Sequence, residues 1–128
     1  PDFNNLNFSL VKHGFIKKIN GNTFKSAFRA TIETPAEIDW IGDNAMSNML
    51  YFLYLIWSKE LAIEAKQKFT VIPNCFKLGG KSIDDKQNNT LRSRYNQVKK
   101  YAENEKLITQ DWMKNMMKTM EGIVDDAS

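Results

Sequence analysis

The most constraining feature of this sequence is an unbroken run of apolar residues from Met49 to Trp57. The run is less than half as long as the roughly 20 apolar residues that a bilayer-spanning helix needs. A helix that is apolar on nearly all sides must be covered by other elements. We therefore expect a buried helix at the centre of a soluble fold, and no membrane partner.

The residues around this run predict a central helical region over 36–69, with the central helix itself at 43–66. It is either one long helix or two helices joined near Gly42. Asp43 is a candidate N-cap, because its carboxylate can accept a hydrogen bond from the first turn. The chain of 128 residues has the length of one domain, and we predict a single domain over residues 1–128.

Two earlier runs predict an antiparallel β-hairpin over 7–33, with strands at 7–19 and 23–33. The second run alternates apolar and polar residues, and Asn20-Gly21-Asn22 between the runs is typical of a hairpin turn. The expected register places one apolar face opposite one basic face. The basic face carries Lys12, Lys18, Lys25 and Arg29.

The C-terminal part predicts helices over 82–124. Ser82-Ile83-Asp84-Asp85 has the form of a capping box with Asp in place of Glu, and Asn88-Asn89-Thr90 is a candidate break. The expected fold class is α+β, with the N-terminal antiparallel β-hairpin packed on a predominantly α-helical bundle of three to five helices. The predicted core includes Phe15, Phe28, Leu50, Leu53, Ile56, Trp57, Tyr95, Val98, Trp112 and Met116.

The first candidate binding site is the outward side of a helix over 90–104, opposite its apolar stripe of Leu91, Tyr95, Val98 and Ala102. It lies in the most basic part of the chain and combines cations with an amide, as contacts to phosphates and base edges require. Its residues are Arg92, Asn96, Lys99 and Lys100, with Arg94 at the flank. A short helix at 83–88 followed by a break would make this a helix-turn-helix variant. A solvated helix face is the alternative interpretation.

The basic face of the predicted hairpin is the second candidate. Hairpins can place point charges along a nucleic-acid backbone, although a lysine-rich strand that resists edge-to-edge aggregation gives the same pattern. The predicted face holds no aromatic residue for base stacking.

Methionines at helical spacing form the third feature, over residues 113–120. A core-facing stripe is the simplest explanation, and an adaptable partner-binding or dimer surface is the alternative. A protein-binding module, such as an adaptor, a toxin-neutralising partner or an assembly subunit, would use an exposed part of this stripe or the edge of the predicted hairpin.

Few residues of the sequence support a catalytic site or a metal-binding site. Cys75 is the single cysteine and His13 the single histidine, too few ligands for a classical zinc site. The three acidic residues at 37, 39 and 43 are a conceivable magnesium set, but the helix dipole explains them more simply. Gly79-Gly80-Lys81-Ser82 lacks the first glycine of a phosphate loop.

These observations predict a small binding protein without catalytic activity, cofactor or metal. Nucleic acid, DNA or RNA, is the preferred partner, and a protein partner or homodimer is the alternative. An enzyme whose groups converge from distant positions is the third hypothesis. The single cysteine and the absence of a signal-peptide pattern at residues 1–5 favour a reducing, cytoplasmic location.

Overall fold

The structure, a computed structural model, describes residues 2–28, 37–59, 72–73 and 75–128. Within these residues it confirms an α+β fold of five α-helices and one small sheet. In chain order the elements are α1 (Phe3–Lys12), α2 (Gly21–Ser26), β1 (Ile38–Trp40), α3 (Ala45–Ser58), β2 (Phe76–Leu78), β3 (Lys81–Ser82), α4 (Asp85–Glu103), a 3-10 helix (Glu105–Leu107) and α5 (Asp111–Asp126).

The apolar run lies inside α3, which is the expected buried hub. Every residue from Met49 to Trp57 is buried except Tyr54, which is partly buried. The helix packs against α4, α5 and β1, so neighbours cover it on several sides as its composition requires. The helix begins after Asn44, not after Asp43. Residues 60–69 of the predicted central region lie outside the described residues.

The predicted N-terminal hairpin is wrong for the described residues, because helix α1 takes up the start of the first run, α2 takes up the turn and the start of the second run, and Ile16 bridges to Trp40 instead. The Asp2 carboxylate accepts a hydrogen bond from the Asn5 N–H at 3.0 Å, which caps α1. Asn20, taken from the sequence as part of a turn, instead caps α2 by accepting from the Asn22 N–H at 2.8 Å. Residues 29–33, including Arg29, lie outside the described part of the chain.

The end of α1 falls at His13-Gly14, within the first run of the predicted hairpin. Gly14 has a φ of +76°, and its N–H donates to the Val11 carbonyl at 3.0 Å. The next N–H, of Phe15, donates to the Leu10 carbonyl at 2.9 Å. This pair of bonds is the Schellman motif, in which glycine at the left-handed position ends a helix.

The sheet has the order β1-β2-β3, with β1 parallel to β2 and β2 antiparallel to β3. Gly79 and Gly80, with φ values of +59° and +79°, form the turn between β2 and β3, as the primed two-residue turns require. Ile16, next to the end of α1, forms an isolated antiparallel bridge with Trp40. The start of the predicted central helical region is therefore a strand, β1.

The C-terminal helices are confirmed with altered ends. A capping box starts α4, but its residues are Asp84 and Gln87. The predicted break at 88–90 is wrong, because α4 continues through it to Glu103. The Asn88 N–H donates to the Asp84 carbonyl at 2.9 Å, and the Thr90 hydroxyl donates to the Lys86 carbonyl at 3.3 Å. The backbone hydrogen bond of Asn88 is thus kept through this stretch, and the Thr90 hydroxyl finds an acceptor within the helix.

The remaining helices complete the packing around the hub. The N-terminal helix α1 packs on α2 and on α5, and an aromatic cluster of Phe3, Phe24, Phe28 and Phe52 joins this region to α3. Eight of the ten predicted core residues are buried; Phe15 and Trp112 are partly buried. None of the helices among the described residues combines the length and apolar character that a bilayer crossing requires.

Candidate functional site

The outward side of α4 carries most of the first candidate site. Leu91, Tyr95 and Val98 are buried against the hub, as the predicted stripe requires. Successive residues of an α-helix are about 100° apart around its axis. The side of α4 opposite these buried residues therefore carries a continuous set of polar and basic side chains. We call Arg92, Asn96, Lys99 and Lys100, all exposed, the outer basic face.

Arg94 is also exposed but does not belong to the outer basic face. It lies about 160° around the helix axis from Arg92, given 3.6 residues per turn. Its neighbours are Gln97 and Tyr101, and the three line a cleft on the other flank of α4. The structure thus divides the five predicted residues of this helix between two surfaces.

The part of α4 that carries the outer basic face has charged residues of one sign. Residues 86–100 contain five basic residues and no acidic one. Lys99 and Lys100 form no ion pair with any described residue. The nearest acidic residue in sequence after this stretch is Glu103, in the last turn of the helix. A polyanion approaching this flank therefore meets at least two cations, Lys99 and Lys100, that no described acidic residue neutralises.

The lysines of the predicted hairpin do not share a sheet face. Lys12 is in the last turn of α1, Lys25 is in the last turn of α2, and Lys18 lies in the connection between them. All three are exposed. A cation in the last turn of a helix is stabilised by the helix dipole, which explains two of them without a ligand. Helix α1 packs on α2 and on α5, whereas α4 packs on α3.

The cleft beside Arg94 has a volume of about 270 Å³. It is bounded by the amino end of α3, by α4 and by the segment that leads into α5. The Gln97 amide donates a hydrogen bond to the Tyr101 hydroxyl oxygen at 3.0 Å, and the Trp112 indole N–H donates to the Gln110 side-chain oxygen. Asn44 and Ser47 contribute polar groups from α3. We call this the Arg94 cleft.

A second, larger cleft of about 650 Å³ lies beside the 3-10 helix and α5. Its charged lining is balanced, with three acidic and three basic residues: Glu105, Asp111, Glu121, Lys106, Lys114 and Lys118. The Tyr51 hydroxyl donates a hydrogen bond to Glu121 at 2.6 Å. Burial, and next this carboxylate, raise the pKa of Tyr51 well above its ordinary value. Balanced charge gives this cleft no preference for a polyanion.

The residues considered for chemistry are engaged elsewhere or separated. Cys75 is buried while His13 is exposed, so the thiol is not open to solvent as the imidazole is. Glu37 forms an ion pair with Lys77 at 3.4 Å, and Asp39 accepts a hydrogen bond from the Gly80 N–H at 2.8 Å. Among the residues that the structure describes, no three His, Cys, Asp or Glu side chains are grouped to hold a metal ion.

The methionine stripe of α5 faces inward. Met116, Met117 and Met120 are buried, and Met113 is partly buried. The core-facing interpretation is confirmed, and little of the stripe is left for a partner.

Sequence reasoning missed the Arg94 cleft. The available signal was the spacing of Arg94, Gln97 and Tyr101, which places three hydrogen-bonding side chains along one flank of a helix. Their partners across the cleft, Asn44 and Trp112, come from distant parts of the chain and give no local signal. Comparison with known proteins finds no matching family model, no matching curated protein and no matching solved structure.

Proposed function

We propose that this protein binds nucleic acid through the outer basic face of α4 and has no catalytic activity. The observation that carries the proposal is the uninterrupted basic character of residues 86–100 on a helix whose apolar side is buried. Phosphate groups attract such a surface, and released counterions add a favourable entropy to binding. The single cysteine fits a reducing environment, and we propose a cytoplasmic location.

The basic residues and the amide of the outer basic face have different roles in binding. Lys99 and Lys100 supply charge-assisted contacts to phosphates, which position the strand without reading its sequence, and Arg92 adds positive charge beside them. Asn96 lies between them and can donate to and accept from a base edge or a sugar hydroxyl. The two lysine contacts alone predict a slope of about −1.5 to −2 for the logarithm of affinity against the logarithm of salt concentration.

The test is fluorescence anisotropy with labelled single-stranded and duplex oligonucleotides, at low and at near-physiological salt. We expect measurable binding that weakens as salt rises. The double substitution Lys99→Glu and Lys100→Glu should weaken binding by at least about tenfold, because it replaces two attractive charges by two repulsive ones.

The matched control is Lys114→Glu with Lys118→Glu. These lysines are exposed on α5 and line the balanced cleft, so the net charge changes equally but away from the outer basic face. Equal losses in both double variants would mean that only net charge matters, and would contradict the assignment to α4. Absence of binding at low salt would refute the proposed function itself.

The alternative function, a protein-binding module or homodimer, depended on the predicted hairpin edge and on the methionine stripe. The described residues show helices at the start of both runs of the hairpin and a largely buried stripe. With neither surface available as expected, nucleic-acid binding is the better-supported proposal.

A further inference from the structure

We propose that the Arg94 cleft holds one nucleotide unit of a single strand, with its phosphate at Arg94 and its base beside Trp112 and Tyr101. The proposal rests on the proposed function, since the rest of the strand would follow the outer basic face. It adds the form of the nucleic acid, a single strand, and a site for one of its units.

Size is the first argument. A volume of about 270 Å³ is close to the lower limit of roughly 300 Å³ for small-molecule pockets. It suits one base with its sugar and phosphate, and it excludes a base pair. A base can enter such a cleft only when it is unpaired and separated from its neighbours, and single strands offer bases in this state without the cost of opening a duplex.

The phosphate end of the cleft is provided by Arg94. Its guanidinium forms no ion pair within the described residues, and its planar fork of donors fits phosphate oxygens in a bidentate manner. Asn44 and Ser47 lie on the same lining, at the amino end of the fourteen-residue helix α3. The Asn44 side chain makes no capping bond, so it does not occupy the N–H groups of that first turn.

The base end of the cleft is provided by aromatic and amide side chains. Trp112 is only partly buried, and its hydrogen bond to Gln110 restrains the indole ring. The bond from Gln97 to Tyr101 restrains the opposite wall in the same way. Restrained aromatic rings offer stacking surfaces worth about 1–3 kcal/mol per base.

The two surfaces of α4 are connected by helical geometry. Gln97 lies about 60° around the helix axis from Arg94, and Lys100 lies about 60° beyond Gln97. All three are exposed. A strand can therefore leave the Arg94 cleft over Gln97 and reach the outer basic face at Lys100 without crossing the buried side of the helix.

The experiment follows tryptophan emission of the full chain during titration with a single-stranded oligothymidylate, with the same strand in a duplex, and with thymidine monophosphate. Trp40 and Trp57 are buried, so a change on binding should come from Trp112. We expect the single strand to quench the emission and to bind at least about tenfold more tightly than the duplex.

Substitutions in the Arg94 cleft test whether its residues bind the single strand. Arg94→Gln should weaken single-strand binding by about tenfold or more, and Arg94→Lys should have a smaller effect because it keeps the charge but loses the fork. Trp112→Phe should remove the quenching while keeping most of the affinity, since phenylalanine still stacks. Lys114→Gln is the control for loss of one exposed cation outside both surfaces, and circular dichroism verifies that each variant is folded.

The outcomes separate the two proposals. If the single strand binds but Arg94→Gln and Trp112→Phe behave like the unchanged protein, the cleft proposal is overturned while the proposed function stands. If no oligonucleotide binds, the proposed function is refuted. In that case thymidine monophosphate decides about the cleft. If it quenches the emission and Arg94→Gln abolishes this quenching, the cleft is a site for a free nucleotide. If it does not quench the emission, the cleft proposal is overturned as well.

Discussion

At the scale of single residues, Tyr51 joins the hub to the C-terminal helix. The phenol is almost fully buried in α3 and donates its hydrogen bond to Glu121 of α5. Burial is the main reason that the pKa of Tyr51 is raised, and the neighbouring carboxylate adds to it, because both disfavour a phenolate. The folded protein therefore holds this proton at a pH where the unfolded chain releases it.

This raised pKa predicts a loss of stability in alkali. Below the ordinary tyrosine pKa of about 10, folded and unfolded chains both hold the proton and the contribution is fully present. Above it only the unfolded chain loses the proton, so the free energy of unfolding falls as pH rises. Urea unfolding between about pH 8 and pH 11 should show a shallower fall for Tyr51→Phe than for the unchanged protein. Parallel curves would contradict this role of Tyr51.

At the scale of elements, α1 and α2 show why the predicted hairpin was wrong. Apolar residues of the predicted hairpin often stand four apart, as do Phe24 in α2 and Phe28 just after it. A spacing of four falls on one face of a strand and also on one face of a helix. Whether such a segment forms a strand or a helix depends on the residues between the apolar pair. In α1 the fully buried pair is Leu6 and Leu10. A side-chain cap also stands at the start of each of the two helices.

The helix α1 and the predicted strand imply different contributions of the adjacent residues Leu10 and Val11 to the free energy of unfolding. In α1 Leu10 is fully buried and Val11 only partly, whereas the predicted strand would place Leu10 on the basic face and Val11 inward. We expect Leu10→Ala to lower the free energy of unfolding by about 2–5 kcal/mol, and Val11→Ala to lower it by clearly less. Chemical denaturation measures both, with the exposed Phe8 replaced by Ala as the control. The reverse order would favour the hairpin.

At the scale of the whole molecule, the small sheet connects distant parts of the chain. Ile38 of β1 pairs with Phe76 of β2, and the Gly79 N–H donates to the Trp40 carbonyl at 2.9 Å. The Asp39 carboxylate completes the connection by accepting from the Gly80 N–H. This glycine turn therefore binds a carboxylate of its own chain.

The Asp39 contact has a measurable consequence. Asp39→Ala should lower the free energy of unfolding by about 1–3 kcal/mol, because a hydrogen bond to a charged group is lost. Asp39→Asn keeps an acceptor oxygen and should cost less. Thermal or urea unfolding compares both with Asp43→Ala, which removes an exposed carboxylate nearby. A loss no larger than that of the Asp43 variant would show that the contact does not stabilise the turn.

The sequence by itself determined those features that depend on local periodicity and composition. The run from Met49 to Trp57 predicted the buried hub, and the stripe of Leu91, Tyr95 and Val98 predicted which side of α4 is exposed. The inward methionines followed from the same helical period. These features could be predicted because a residue's burial on a regular helix depends mainly on its own spacing.

Only the tertiary structure decided the N-terminal helices, the strand β1 and the division of the basic residues between two surfaces. A parallel pair such as β1 and β2 is stabilised by partners far apart in sequence, so neither strand is strongly marked locally. The Arg94 cleft likewise exists because α3, α4 and the start of α5 meet, bringing Asn44, Arg94 and Trp112 together. Such juxtapositions arise from packing between elements, which spacing within one element does not encode.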